Sequence, residues 1–277
     1  MEVAPLDELR HEPGPGDWQE SWSFDLAAPD ASLGASVRLA LDPATGHAWF
    51  WAAVVGPDRP TVALRDHDVE APRGDGLELR APGLWTDLVC EEPLDHWSIG
   101  LEAFAVAFED PLDAWSDERG APTPMGFDLG WEASEPPRRR PADAGVHGYE
   151  QACRVNGEVL VGAERLTIDG WGARRHAWGP RRWHEPGGSA WARLDDGRVS
   201  LHRPVRPRFD GTGLPVAMSV ALDDAAEATA SPRGLALVRV PRPGGPDVRL
   251  VRFLCRYDDD GGGVGGVGWA GWRHGAD

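Results

Sequence analysis

Between Gly170 and Trp183 the chain reads GWGARRHAWGPRRW, fourteen positions holding three glycines, four arginines, one histidine and three tryptophans. On an extended strand side chains alternate, so Arg174, His176 and Trp178 share one face while Arg175 and Ala177 share the other. Burying an arginine without a partner is very unfavourable, so that face requires carboxylates or a ligand opposite it. Two readings follow. In the structural one, Arg174 or Arg175 pairs with an acid such as Glu20, Asp25 or Glu150, tying two halves of the chain together, and Trp178 caps a barrel end. In the functional one, the row is a polar spot in an otherwise apolar cavity, where His176 moves a proton and Arg174 orients an oxygen. Ligand pockets are commonly built that way, with greasy walls and a few convergent polar groups.

Other chemistries find little support. The nine histidines, His184 among them, show no H-x-x-x-H or H-E-x-x-H spacing, so neither a metal site nor a cofactor is expected. There is no G-x-S-x-G for a serine hydrolase elbow. The glycine run Gly261 to Gly268 follows an Asp triplet and precedes no helical pattern, which makes it a turn rather than a phosphate loop. Cys90, Cys153 and Cys255 are scattered and odd in number, as expected of reduced thiols in a cytoplasmic protein.

The elements that must carry this row read as strands. Gly and Pro make up 60 of 277 residues, spread along the chain, and punctuate many short segments. In ESWSFDL, Trp22, Phe24 and Leu26 alternate with Ser21, Ser23 and Asp25. LGASVRLALD and HAWFWAAVVG, joined by Pro-Ala-Thr-Gly, form a hairpin signature. LELRA, LWTDLVCEE, HWSIGLEAFAVAFE and MGFDLGWEA follow, with a loop expected over 109–124. After the linker, Asn156-Gly157 and Asp196-Gly197 mark two more hairpin turns. VAMSVAL, LALVRVP, VRLVRFLCRY and VGWAGWRH complete the set, and only Asp223 to Thr229 has any helical character.

The Pro- and Arg-rich stretch SEPPRRRPADAG divides the chain. The expected organisation is an N-terminal extension over 1–17, a first β domain over 18–137, a linker over 138–146 and a second β domain over 147–277. Antiparallel meanders of this length manage their edges by closing into barrels or sandwiches. The fold class is therefore all-β.

The net charge of −17 opposes nucleic acid and anionic lipid surfaces. No apolar run is long enough for a membrane-spanning helix, and the amino terminus lacks the pattern of a signal peptide.

The stretch from Gly172 to Trp183 resembles the G-x-R-x-H-x-W-G-x-R-x-W motif of a bacterial family similar to the carotenoid 1,2-hydratase (hydroxyneurosporene synthase), tocopherol cyclase and AttH-like superfamily. The opening strand ESWSFDL and the Glu92-Pro93-Leu94-Asp95-His96-Trp97 element add to the resemblance, which runs from about Trp18 to Trp183. It implies two lipocalin-like antiparallel β-barrel, or half-barrel, domains packed together around a ligand cavity. It also implies isoprenoid, polyketide or similarly apolar substrates. The hydratases carry Asp-His-Asn-Trp-Gly where this chain has Arg175-His176-Ala177-Trp178-Gly179, so the acid at the first position is replaced here.

That replacement matters for mechanism. A tryptophan face stabilises a developing cation by about 0.5–2 kcal/mol, against the roughly 8 kcal/mol or more that enzymatic acceleration demands. Alkene protonation needs a positioned acid, and the candidates are Asp25, Glu20, Asp169 and protonated His176. The expected function is thus binding of a hydrophobic isoprenoid, steroid or polyketide-like molecule. The alternative is a hydratase, cyclase or isomerase using His176, Asp25 and Glu20. In either case Arg174, Trp178, Trp22, Phe24, Trp97 and Trp183 form the ligand wall.

Overall fold

The computed structural model describes residues 2–115, 120–141, 145–181, 183, 185–222, 227–241, 245–259 and 265–274. Nearly everything in it is strand. The first sheet contains β1 (Trp18–Ala27), β2 (Gly34–Asp42), β3 (His47–Val55), β4 (Thr61–Glu70), β5 (Leu79–Ala81), β6 (Leu84–Glu92), β7 (His96–Phe108), β8 (Ala121–Ala133), β9 (Arg138–Arg139), β10 (His147–Val161) and β11 (Glu164–Pro180). Their order is β4-β3-β2-β1-β11-β10-β8-β7-β6-β5, and a pairing of β4 with β7 closes a ring. The remaining strands, β12 (Gly187–Leu194), β13 (Val199–Phe209), β14 (Pro215–Ala221), β15 (Glu227–Val240), β16 (Val248–Asp259) and β17 (Gly266–Arg273), make a second, closed barrel. The chain is therefore all-β, with two lipocalin-like antiparallel units packed together. Among the described residues, no helix is long and apolar enough to cross a membrane.

The change of sheet falls between Pro180 and Gly187, not at 138–146. β10 and β11 lie inside the first ring because β11 pairs with β1 and β10 with β8. A proline-rich stretch marks a break in strand structure, and it carries no information about which strands pair across it.

Asn156-Gly157 is likewise not a turn: β10 runs straight through it, and the hairpin closes after Val161. Gly157 meets a different need, since a Cβ there would lie 2.0 Å from the Asp128 carbonyl oxygen on the neighbouring strand. The turns at 43–46 and Asp196-Gly197 are present, with Gly46 at φ +74° and Gly197 at φ +92°. β4 has no counterpart in the expected strands, and β8 begins inside the expected 109–124 loop. Of the other expectations, 223–226 and 261–264 lie outside the described residues, as does His184. Residues 227–229 belong to β15 and 266–268 to β17.

Strand β1 explains how the two units meet. All ten of its residues are buried, although its sequence alternates apolar and polar. Trp22, Phe24 and Leu26 point into the first ring, where Phe24 packs against Trp97 and Trp131 at ring separations of 5.4 and 5.3 Å. Its polar face turns toward the second barrel, whose core continues onto Ala27, Ala53, Val55, Ala63 and Phe108 of the first. Two side-chain bonds fasten the junction: Trp269 Nε1 donates to the Leu26 carbonyl at 2.7 Å and Thr61 Oγ1 donates to the Leu235 carbonyl at 2.7 Å.

Candidate functional site

Register sorts the chemistry of β1 and β11 onto two faces. On the inner face Trp22 stands opposite His176, Glu20 opposite Trp178 and Phe24 opposite Arg174. The segment before β1 inserts against these residues through the short 3-10 turn Pro5–Glu8. The Glu8 carboxylate takes Arg174 in a bidentate pair, at 2.6 Å (Nη2–Oε1) and 3.1 Å (Nη1–Oε2). It also accepts from the Tyr149 hydroxyl and from Leu94 N–H. Arg174 donates in addition to Gln151 Oε1. These groups are all buried, and each acceptor of the pair has its donor, the condition under which a buried ion pair is tolerable. Burial alone would push the Glu8 carboxyl up; the Arg174 and Tyr149 contacts outweigh it and hold it below the usual range.

His176 is enclosed beside this pair, 1 % exposed. Its Nδ1 lies 2.8 Å from the Asp7 carbonyl, which can only accept, so that nitrogen carries a hydrogen. Its Nε2 lies 2.7 Å from Glu20 Oε1, a contact that needs a proton between the two atoms. Glu20 also accepts from His11 through the backbone N–H and through Nδ1, the latter at 2.8 Å. Burial raises the Glu20 carboxyl, and the bonds from His11 and His176 more than offset it, leaving it lowered. Trp22 stacks on His176 with ring centres 4.5 Å apart, and Trp178 stacks on His11 at 3.7 Å. His11, Glu20 and His176 bring ligand atoms within 4.8 Å of one another, close enough to share a metal ion. Histidine spacing could not reveal this trio, because its members come from three separate segments.

The outer face is different. One rung crosses six strands in the order Glu150, Arg175, Ser23, Arg38, Trp51 and Arg65, each directly opposite the next. The rung beside it includes Ala173, Asp25 and Ser36. Together with strands of the second barrel, these rungs line a half-open cavity of about 490 Å³. Its apolar side includes Trp51, Trp183, Val238, Leu250 and Trp269, and its polar side Ser21, Ser23, Asp25, Ser36 and Arg38. Asp25 accepts from Ser36 Oγ at 2.8 Å and pairs with Arg252. Glu150 accepts from His202 Nδ1 at 3.1 Å and lies 3.7 Å from Arg175. Burial raises the Glu150 carboxyl, yet His202, Arg175 and Arg140 leave it below its ordinary range. Trp51 Nε1 donates to His67 Nε2 at 2.7 Å, and burial together with Arg65 brings the His67 imidazole down to about 4, which keeps it neutral as an acceptor.

Seven of the nine expected site residues gather on the inner face: His176, Glu20, Arg174, Trp178, Trp22, Phe24 and Trp97. Glu20, Trp22, Phe24, Trp97 and His176 are absent from the cavity wall, against the expectation that this row would line it. The alternation was read correctly, but the N-terminal extension occupies the space that the row faces. Arg174 pairs with Glu8, from the extension, while Arg175 meets Glu150. Asp25 and Trp183 do line the cavity, and Arg174 and Trp178 contribute to its wall as well. Arg38, Arg252, Glu150 and His202 line it too. None of these four was singled out as a site residue. A mid-strand arginine flanked on its own face by small Ser36 and Ala40, within LGASVRLALD, was the signal available for Arg38.

Residues 4–199 match a family model described as a domain of unknown function, DUF7064. No curated protein matches the sequence. Among solved structures, similarity extends to an AttH assignment from Nitrosomonas europaea, 14% identical, with a TM-score of 0.59 over 92% of each chain. CghA, solved with Sch210972, is 13% identical with a TM-score of 0.53 over 93% of this chain and 88% of its own. Kievitone hydratase from Nectria haematococca is 12% identical, with a TM-score of 0.55 over 93% of this chain and 89% of its own. At these identities the likeness is one of fold.

Proposed function

The chain belongs to the DUF7064 family, and we propose that it binds a hydrophobic small molecule of isoprenoid, steroid or polyketide type between its two barrels. The observation that carries this reading is the cavity of about 490 Å³ lined by indole and aliphatic side chains together with polar ones. A volume in this range suits one small organic ligand, and a mixed wall orients as well as holds it. The three cysteines, none in a disulfide, agree with a reducing, cytoplasmic setting.

Native mass spectrometry of the protein purified from its own host tests the proposal. One stoichiometric apolar adduct is expected, released by organic solvent. A bare chain that also takes up no isoprenoid, steroid or polyketide in titration would overturn it.

A second reading, acid–base catalysis of the hydratase, cyclase or isomerase kind, draws support from the Glu150–His202 pair. A carboxylate orienting the Nδ1–H of an imidazole at a cavity wall is the usual construction of a general base, which here would act once its Nε2 is released from Arg140. Asp25 is a second carboxyl on the same wall. His176 and Glu20 spend their capacity on each other and on the extension, so a catalytic role for them would require that extension to move. Loss of turnover in His202→Ala with retention in His176→Gln would assign the reaction to the cavity, and the reverse pattern to the inner face.

A further inference from the structure

The cavity wall is strongly basic in a strongly acidic protein. Eight arginines and three carboxylates line it, Arg174 and Arg181 being matched by Glu8, Asp17 and Asp42 just outside the wall, whereas the chain as a whole carries a net charge of −17. Two of those carboxylates are already engaged, Asp25 by Arg252 and Glu150 by Arg175, Arg140 and His202.

Arg38 stands apart from this pairing. Its guanidinium donates to Ser23 Oγ at 3.2 Å and Gln19 Oε1 at 3.4 Å, both neutral and both long. No carboxylate pairs with it among the described residues, and its Nε is buried without an acceptor. Its guanidinium carbon lies over the Trp51 and Trp183 rings, 5.5 and 5.8 Å from their centres. Burial, compounded by the charges of Arg175, Arg252, Arg140 and Arg273, disfavours its cationic form. A planar cation with an unused donor, beside a pair of indoles, matches a planar oxyanion attached to an apolar body.

We propose that the cavity is selective for amphipathic organic anions, with the ligand's carboxylate or acidic enolate seated on Arg38 and its apolar part against Trp51, Trp183, Val238 and Leu250. This rests on the binding function proposed above and narrows it to one ligand class.

A matched dye pair separates the two ideas. N-phenyl-1-naphthylamine and 1-anilinonaphthalene-8-sulfonate share an aromatic body and differ by one sulfonate. Wild-type protein should bind both with one site and favour the sulfonate. Arg38→Met should keep the neutral dye and lose the preference by about tenfold to a hundredfold, the scale of a charge-assisted hydrogen bond. On wild-type protein alone, decanoate should displace the neutral dye at much lower concentration than decanol.

An unchanged preference in Arg38→Met, or equal competition by decanol, refutes the anion selectivity and leaves the cavity reading intact. Failure of wild-type protein to bind either dye refutes both.

Discussion

His202 Nδ1 lies 3.1 Å from a carboxylate oxygen of Glu150, and Arg140 Nη2 lies 3.1 Å from the ring's other nitrogen. An arginine can only donate, so Nε2 accepts and Nδ1 carries the hydrogen. The residue holds this pose at φ +48°, in the left-handed region that non-glycine residues seldom occupy. Ring ¹⁵N chemical shifts at neutral pH should therefore show a protonated Nδ1 and an unprotonated Nε2. Glu150→Gln should erode that tautomer preference, and an Nε2–H form in the wild-type protein would contradict the arrangement.

The Arg174–Glu8 pair predicts a large effect from a small change near the amino terminus. Glu8→Ala leaves a buried guanidinium without its carboxylate, which costs about 3–5 kcal/mol. That corresponds to a fall in melting temperature on the order of 10 °C. The double variant Glu8→Ala/Arg174→Met should recover part of the loss, and calorimetry of the four proteins in that cycle measures the coupling.

Acid should loosen the same region. Glu8 and Glu20 are both held below their ordinary range in the folded chain, so folding favours their ionised forms. Their contribution is complete above about pH 4.3 and declines as the pH falls through the lowered folded values. Urea midpoints measured from pH 7 down to pH 3 should drop more steeply for wild-type protein than for Glu20→Gln, which has one fewer carboxylate to protonate.

Arg38 predicts the opposite sign. A half-buried cation lacking an acidic partner is poorly compensated, so Arg38→Met should raise the melting temperature by up to a few degrees. A marked fall would mean that its bonds to Ser23 and Gln19 outweigh the desolvation.

Gly157→Ala should be among the most damaging single-methyl additions, lowering stability by about 2–4 kcal/mol. The added Cβ meets the Asp128 carbonyl at 2.0 Å, and φ is +131°. Thermal unfolding compared with Gly46→Ala, where a Cβ meets nothing within 4 Å, distinguishes close approach from backbone strain alone.

Alternation in the sequence revealed most of the strands and the two-faced row from Arg174 to Trp178, because side-chain direction along a strand is a local property. Pairing is not local. Nothing within HGYEQACRVNGEVLV says that it lies between β8 and β11, so the first ring's true extent and the run of β10 through Asn156-Gly157 both escaped. The alternation in ESWSFDL put Ser21, Ser23 and Asp25 on one face, and only the second barrel packed over that face makes it part of a cavity wall. Glu8 and His11 were assigned to an extension, as their segment has no periodicity. Their roles become visible only when the chain's first dozen residues are placed beside β11.

Strand β1 also sets the order in which the molecule can be completed. It pairs with β11, about 150 residues further along the chain, so the first ring has an open edge until residue 180 is available. At ordinary rates of synthesis that interval lasts roughly 8 to 30 seconds. During it, the backbone groups and apolar face of ESWSFDL have only β2 for company, an aggregation-prone state that invites chaperone attention. The second barrel is closed by β12 pairing with β17, about 80 residues further along, so its edge stays open for roughly half as long.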